Sequence, residues 1–268
     1  MKGRVLIVAG SDSGGGAGIQ ADIKTVTALG GFAMTAITAL TAQNTLGVID
    51  VSPVDVEFIQ TQMRVVLDDL GADCLKTGML HSSEVIEAVC AVAESEAAGI
   101  PLVVDPVMVA KGGATLLGIE AVAAMRDRLL PMARVITPNI PEAETLLGME
   151  IGTLDAMKRA AELMMEMGAA AVLIKGGHMS GRVLTDVLLD DGGFHLFETE
   201  RVDTEHTHGT GCTMASAIAA GLAQDMPLPE AVGRAQAYVA AAIRSAPGYG
   251  QGHGPIDHGH TVSSFGTG

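Results

Sequence analysis

The 268-residue chain has no tryptophan, and aromatic residues make up only 3% of it. Its three cysteines, Cys74, Cys90 and Cys212, form no CxxC pair, so no disulfide framework is indicated and a reducing compartment is expected. Lysine and arginine total 16 against 31 acidic residues, which argues against a nucleic-acid or anionic-membrane surface. No apolar run is long enough to cross a membrane, and Val5–Ala9 is too short for a signal peptide. We therefore expect a cytoplasmic protein that binds neither nucleic acid nor membrane.

What is present is an apolar chain, 48% hydrophobic, in which short apolar runs alternate with helical patterns. The runs lack polar alternation, which is typical of strands buried on both faces of a parallel sheet. We predict strands at Arg4–Ala9, Ala33–Leu40, Cys74–Thr77, Leu102–Asp105, Arg134–Thr137 and Ala171–Ile174, a hairpin of Val183–Leu189 and Phe194–Thr199, and helices near 19–29, 56–70, 82–98, 118–130, 154–167, 212–224 and 229–245. This order predicts a single α/β domain over residues 1–268, with a doubly wound, mainly parallel sheet and helices on both faces.

Polar and ionisable residues gather where the predicted strands end, and open α/β sheets bind their ligands beyond the carboxyl ends of the strands. The residues at those ends are Gly10, Gln43, Gly78–Met79, Asp105–Met108, Asn139–Glu142 and Lys175–His178. Asp105 and Glu142 are suited to hold Mg²⁺, with water between them and the ion as Mg²⁺ prefers. Lys175 would carry its ammonium to a phosphate. Each residue alone is better explained as a cap or an ion-pair partner, but together they indicate metal-nucleotide phosphoryl transfer.

The stretch His208–Cys212 is the predicted chemical centre. Gly209 and Gly211 permit a tight turn with accessible N–H groups, and the small-residue helix that follows directs its positive end at the same place. We call residues 209–211 the anion corner. A cysteine at a helix N-terminus has its thiolate favoured, so we expect Cys212 to act as a base or nucleophile, with the thiolate populated near neutral pH. The alternative is a plain turn followed by a buried structural cysteine.

A second glycine-rich stretch, Gly10–Gly18, lies between the first predicted strand and helix, where phosphate-binding loops occur. Its spacing matches neither GxGxxG nor GxxxxGK[ST], so no dinucleotide fingerprint is supported and a flexible loop remains an alternative. The histidines of the C-terminal tail, His253, His258 and His260, have no cysteine partners, and we expect no metal site there.

Seven stretches, in order along the chain, resemble the bifunctional hydroxymethylpyrimidine and phosphomethylpyrimidine kinases of thiamine biosynthesis, which belong to the ribokinase-like superfamily. They are Ala9–Asp22, Thr38–Thr45, Lys76–Leu80, Asp105–Met108, Thr137–Ala143, Lys175–His178 and Thr207–Thr213. The tail segment Gly252–His258 is also similar to the end of that family, so the resemblance covers residues 4–258.

The resemblance implies ATP-dependent phosphorylation of 4-amino-5-hydroxymethyl-2-methylpyrimidine to its monophosphate, then of the monophosphate to the diphosphate, with Mg²⁺, by a homodimer. By matching motif, the catalytic residues would be Cys212 and Lys175, and Asp105 and Glu142 would organise Mg²⁺. The residues that would contact the pyrimidine are Gln43, Gly10, Asp22, Met79 and Val107. Those that would bind phosphates are Gly209, Thr210, Gly211, Asn139 and Lys175. The chemistry of Gln43 agrees, because a carboxamide presents a donor and an acceptor in one plane, as an amino group beside a ring nitrogen requires.

Two alternatives remain. Ribokinase-like sugar kinases carry aspartate where this chain has Cys212, whereas a group of pyridoxal kinases is similar to this chain in having cysteine. Pyridoxal phosphorylation is therefore an alternative or a side activity, since both substrates are flat six-membered nitrogen rings with a hydroxymethyl group. The second alternative is a non-catalytic ligand-binding homologue, against which the presence of Cys212, Lys175 and the acidic residues argues.

Overall fold

The computed structural model describes residues 1–108 and 118–263. In this part of the chain one sheet contains nine strands, which are β1 (Arg4–Asp12), β2 (Phe32–Asn44), β3 (Gly47–Pro53), β4 (Cys74–Thr77), β5 (Leu102–Val104), β6 (Val135–Ile136), β7 (Val172–Ile174), β8 (Val183–Asp190) and β9 (Gly193–Glu200). Their order across the sheet is β3-β2-β1-β4-β5-β6-β7-β8-β9. Every pairing from β2 across to β7 is parallel, while β3, β8 and β9 pair antiparallel at the two edges. The predicted mainly parallel sheet is confirmed.

Helices connect these strands. In the described residues they are α1 (Gly18–Ala28), α2 (Val56–Asp69), α3 (Ser83–Glu96), α4 (Ile119–Ala124), α5 (Ile140–Leu147), α6 (Leu154–Glu166), α7 (Thr210–Leu222) and α8 (Leu228–Arg244). The end of α4 continues through a π-helical turn, Met125–Leu129, and a 3-10 turn, Leu130–Met132. None of the helices that the structure describes is both long and apolar enough to span a membrane.

The hydrophobic core lies on both faces of the sheet because successive strand residues point to opposite sides. In β1, Leu6 and Val8 belong to the cluster that contains α2, α3 and α6, whereas Val5 and Ile7 belong to the cluster that contains α1, α7 and α8. All four of these side chains are fully buried. This two-sided burial is the reason why β1 has no polar alternation, and it confirms the doubly wound arrangement.

Two elements were missed by the sequence patterns. The second strand is predicted to end at Leu40, but β2 extends to Asn44 and turns through two residues into β3, which pairs with it antiparallel. The end of β2 alternates between half-buried and exposed residues, so it lacks the apolar run that identified the other strands. Helix α5 was also missed, because its eight residues are too few for a clear helical period.

Helix α7 is the element that carries the predicted chemical centre. Nine consecutive residues, Thr213–Gly221, are buried, and all but Met214 and Ile218 are small. Small side chains let neighbouring helices approach closely: a methyl group placed at Gly221 would lie 2.7 Å from the Cβ of Ala231 on α8. The N-terminus of α7 lies at the carboxyl edge of the sheet, where Gly211 approaches Asp105 after the end of β5.

Candidate active site

The anion corner forms as the sequence predicts, and backbone geometry explains why glycine stands there. Gly209 is the N-cap of α7, with φ of 90°, a left-handed conformation that favours glycine. A side chain at this position would also collide with the carbonyl oxygen of Gly16. The first N–H groups of a helix have no acceptor within the helix, so the amides of Gly211 and Cys212 are placed to bind an anion, whereas the N–H of Thr210 donates to the carbonyl of Thr207 at 3.4 Å. Gly211 and Cys212 both remain partly exposed.

Lys175 and Asp105 lie directly beside the anion corner. A methyl group placed at Gly211 would lie 3.4 Å from Nζ of Lys175 and 3.9 Å from Oδ2 of Asp105. Lys175 Nζ donates to Asp105 Oδ1 at 3.3 Å. Burial alone would lower the pKa of Lys175, but the carboxylates of Asp105 and Glu142 outweigh it and raise the pKa. A permanent positive charge therefore stands at the place where the helix amides point.

Asn139 and Glu142 form a capping box at the start of α5. The Asn139 side chain accepts from the Glu142 N–H at 2.9 Å, and Glu142 Oε2 accepts from the Asn139 N–H at 2.8 Å. The backbone at Asn139 pairs with Lys175 on the neighbouring strand end. Burial raises the pKa of Glu142 to about 7, and the Asp105 carboxylate adds to the rise while Lys175 opposes it. Two carboxyl groups thus share this side of the site with one ammonium.

Cys212 lies above a buried ion pair. Nζ of Lys76 contacts the two carboxylate oxygens of Asp22 at 2.9 and 3.0 Å, and the hydroxyl of Ser216 donates to Asp22 at 2.6 Å. Ser216 follows Cys212 by four residues, so both side chains are on one face of α7. Lys76 and Asp22 are fully buried. The pair therefore lies one helical turn below the thiol.

The expectation of a thiolate at Cys212 near neutral pH is wrong for the ligand-free protein. Burial raises the pKa of Cys212 to about 12, although Lys76 lowers it, because the carboxylates of Asp22 and Asp105 add to the rise. The N–H of Gly18, the first residue of α1, faces the sulfur and also lowers the pKa. Desolvation outweighs the helix terminus from which the expectation was drawn.

Of the five residues predicted to bind the pyrimidine, Asp22 is directed inward, whereas the other four lie near the ends of strands. Gly10 and Met79 lie together, since a methyl group at Gly10 would be 3.3 Å from the Met79 sulfur, and Val107 follows Asp105, where it is half-buried. Gln43 is half-buried, and its terminal amide lies 3.1 Å from Nε2 of His208. His208 precedes the anion corner, so Gln43 and Cys212 share one edge of the sheet, as predicted. Asp22, in contrast, faces inward to Lys76.

Sequence reasoning missed several residues of this site, and two of them had a visible signal. Lys76 is a lysine inside the apolar strand Cys74–Thr77, where a charge requires a buried partner. Asp12 begins the glycine loop, and its carboxylate accepts the N–H groups of Gly14, Gly16 and Ala17 at 2.8–3.0 Å. The pairing of Asp12 with His208, 196 residues away, had no sequence signal.

The phosphomethylpyrimidine kinase family matches residues 12–257 of the chain. The chain is 51% identical over 257 residues to the thiamine biosynthesis bifunctional protein ThiED of Geobacter sulfurreducens. That alignment covers 96% of the chain and 52% of the relative, so the chain spans about half the length of that protein. It is 49% identical over 256 residues to the hydroxymethylpyrimidine/phosphomethylpyrimidine kinase of Bacillus subtilis, covering 95% of the chain and 94% of the relative.

Solved structures have the same fold. The chain matches the pyridoxal kinase of Bacillus subtilis in its ADP complex with a TM-score of 0.90 and 38% identity, covering 97% of this chain and 98% of the other. It matches the phosphomethylpyrimidine kinase of Clostridium difficile 630 with a TM-score of 0.81 and 40% identity, covering 90% of this chain and 100% of the other. The chain therefore belongs to the phosphomethylpyrimidine kinase family, and it is an ATP-dependent phosphotransferase with the ribokinase-like fold.

Proposed function

We propose that this chain transfers the γ-phosphoryl group of ATP to the hydroxymethyl group of 4-amino-5-hydroxymethyl-2-methylpyrimidine, and then a second phosphoryl group to the monophosphate. The observation that carries the proposal is the position of Gly211, directly before Cys212, where an added methyl group would lie within 4 Å of both the Lys175 ammonium and the Asp105 carboxylate. The names of the relatives support the substrate. Gln43, at the same edge, supplies a donor and an acceptor for an amino group beside a ring nitrogen.

The residues around the anion corner stabilise the charge of the transferred group. Phosphoryl transfer proceeds through a loose transition state, so catalysis depends on positioning and on donors placed where charge develops. Gly211 and the Lys175 ammonium lie beside each other at that place, Asn139 lies beside Lys175, and the N–H of Thr210, which donates to the Thr207 carbonyl at 3.4 Å in the ligand-free protein, precedes them. They bind the oxygens of the transferred phosphoryl group and of the nucleotide phosphates.

The acidic residues are suited to Mg²⁺ held largely through water. Oδ2 of Asp105 is buried without a hydrogen-bond partner among the described residues, so it retains a lone pair for a cation or its water. The described residues contain no cluster of three or more His, Cys, Asp and Glu side chains that could hold a metal ion directly. An ion bound by phosphates and water, with Asp105 and Glu142 as outer acceptors, fits this set. Such an ion offsets phosphate charge and the charge of Asp105.

Cys212 takes the proton of the substrate hydroxyl as a thiolate, a form that has to arise in the substrate complex because the ligand-free protein holds the neutral thiol. The oxygen of the hydroxymethyl group bonds to the γ-phosphorus, the bond from that phosphorus to the bridging oxygen breaks, and ADP leaves. Because the proton is lost late in a loose transition state, the base needs placement more than strength. Lys76 lowers the pKa of Cys212 and so favours the thiolate that receives the proton.

A phosphoryl-transfer assay with purified protein and MgATP tests this function. We expect ADP release with hydroxymethylpyrimidine and with its monophosphate, and product masses that show one added phosphoryl group at each step. Stabilisation of the protein by MgATP and pyrimidine in a melting experiment, without turnover, would instead identify a ligand-binding homologue.

Pyridoxal is the second candidate substrate. The observation that favours it is the TM-score of 0.90 to a pyridoxal kinase that is 38% identical. The same assay, with pyridoxal as the acceptor at equal concentration, distinguishes the candidates: we expect a higher kcat/KM for the aminopyrimidine, because pyridoxal lacks the amino group that Gln43 is suited to bind.

We also propose a homodimer. Large apolar side chains are exposed near the β3 edge of the sheet: Ile49 on β3 is 78% exposed, and Phe58 on α2 is 59% exposed. Exposed apolar side chains of this size favour burial against a second copy. Sedimentation at micromolar concentration should give twice the mass of 27.4 kDa, and a stable monomer would contradict the proposal.

A further inference from the structure

His208 lies between an acidic residue and the predicted substrate-binding amide. Its Nε2 is 3.0 Å from Oδ2 of Asp12 and 3.1 Å from the terminal amide of Gln43. The side chain is only 11% exposed. The C-terminal tail holds the backbone of His208, which donates to the carbonyl of Gly254 and accepts from the N–H of Ile256. The imidazole is thus fixed from both sides.

The charge of Asp12 determines whether Nε2 of His208 carries a proton. Burial alone would raise the pKa of Asp12, but the hydrogen bond from His208 and the N–H groups of Ala17 and Gly14 outweigh it and lower the pKa. An ionised carboxylate can only accept hydrogen bonds. Nε2 of His208 therefore carries a proton and donates it toward Asp12.

The proton on Nε2 determines how the Gln43 amide is turned. An NH₂ group beside a protonated nitrogen would place two donors face to face, so Gln43 must present its oxygen to His208. The other end of the amide lies 3.3 Å from the Thr41 hydroxyl, whose single proton is donated to the Ser11 carbonyl at 2.9 Å. That hydroxyl can then only accept from Gln43. Both neighbours therefore require the Gln43 oxygen on the His208 side and the NH₂ group on the Thr41 side. A half turn of the carboxamide, which exchanges its oxygen and nitrogen, provides this orientation.

We propose that His208 is a positioning residue for the substrate: with Asp12 it holds the Gln43 oxygen on the His208 side and the NH₂ group on the Thr41 side. The inference rests on the proposed function. In this orientation the second lone pair of the oxygen accepts from an amino group, and the second hydrogen of the NH₂ donates to the neighbouring ring nitrogen. Without His208 only the Thr41 hydroxyl, at 3.3 Å, favours this orientation, and the reversed amide, which presents the wrong pattern to an aminopyrimidine, becomes populated.

The test compares substrate binding with turnover in His208→Leu and His208→Gln. For His208→Leu we expect Kd and KM for hydroxymethylpyrimidine to rise about tenfold, which corresponds to one hydrogen bond. We expect kcat and the KM for MgATP to change by less than about threefold. In His208→Gln, which restores an N–H donor at similar reach, binding should recover. His195→Leu is the matched control, because it removes a His–Asp pair of 3.1 Å on the distant hairpin β8–β9 and should change neither constant.

A double substitution separates positioning from a general structural effect. If His208 acts through Gln43, then His208→Leu adds no loss of pyrimidine affinity to Gln43→Leu. Additive losses, an unchanged Kd in His208→Leu, or no recovery in His208→Gln would overturn the proposal. Calorimetry without ATP measures Kd independently of turnover. A wild-type protein that binds the pyrimidine without phosphorylating it would contradict the proposed function alone, whereas one that does not bind it would contradict both.

Discussion

The ion pair between Lys76 and Asp22 allows a quantitative prediction of stability. Both side chains are fully buried, with Nζ at 2.9 and 3.0 Å from the carboxylate oxygens. Lys76→Met keeps most of the volume but leaves the Asp22 carboxylate with the hydroxyl of Ser216 as its one hydrogen-bond partner among the described residues. Removing one partner of a buried pair costs about 3–5 kcal/mol, because the remaining charge is uncompensated. Since domains are stable by only about 5–15 kcal/mol, the variant should lose a large fraction of its free energy of unfolding.

Two further variants test the reasoning. Lys76→Met combined with Asp22→Leu removes both charges, and replacement of a buried pair by apolar side chains is often neutral or stabilising, so the double variant should be more stable than the single one. Arg64→Met removes a pair of similar length, 2.8 Å to Glu96, in which the side chains are 48% and 34% exposed. This control should lose no more than about 1 kcal/mol.

Equilibrium unfolding in urea measures all three variants, compared at equal m-values so that changes in midpoint report stability. The reasoning is refuted if Lys76→Met loses less than about 1 kcal/mol, or if the double variant is as unstable as the single variant. The second outcome would mean that packing, and not the unpaired charge of Asp22, determines the loss.

Four further variants, at three positions, address the site. Lys175→Ala should lower turnover by about 10² or more, with pyrimidine binding little changed; a rate near that of the wild type would make Lys175 a simple ion-pair partner. The pKa of Glu142 is raised to about 7, so the folded protein holds this proton more tightly than the unfolded chain does, and the resulting stability is lost as pH rises from about 4.3 toward 7. In Glu142→Gln the melting temperature should therefore vary less between pH 5 and pH 8 than in the wild type. Cys212→Ala should lose most turnover but still bind MgATP, and Cys212→Asp should recover part of the turnover. Alkylation of Cys212 should be slow at pH 7, accelerate at higher pH, and be prevented by bound pyrimidine; an equally fast reaction at pH 7 and 10 would contradict the raised pKa.

The sequence predicts the fold well where a strand is buried on both faces of the sheet. The parallel strands are buried on both faces, so their apolar runs stand out, as in Val5–Ala9, whose side chains are at most 1% exposed. Strand β3 was missed because its residues are half-exposed or exposed and its pairing with β2, an interaction between neighbouring elements, is not contained in a local pattern. Helix α5 was missed because its eight residues show no clear helical period, although Asn139 and Glu142 have the spacing of a capping box.

Asp105, Asn139 and Lys175 converge because each follows the end of a parallel strand, a relation that topology alone fixes, whereas the anion corner is brought to them by helix α7. Lys175 and Asp105 meet beside Gly211 although they are 70 residues apart. The groups that were missed act through long-range contacts instead. Asp12 and His208 are 196 residues apart, and Lys76 and Asp22 are 54 residues apart, so no spacing rule connects them.

Cys212 shows how tertiary burial can reverse a prediction from local structure. A helix N-terminus contributes about 0.3–1 kcal/mol to a negative charge, and up to about 2 kcal/mol where it is partly buried. The rise of the pKa to about 12 corresponds to about 4 kcal/mol in the opposite direction, so burial and the carboxylates of Asp22 and Asp105 outweigh the dipole. The resting protein therefore holds a neutral, weakly reactive thiol. The proposed role of Cys212 as the base therefore requires that bound substrates change the charges around the thiol, and Asp105 is the one of these two carboxylates that lies beside the anion corner. In the ligand-free protein the neutral thiol should react slowly with oxidants and alkylating agents, and bound pyrimidine should then cover it.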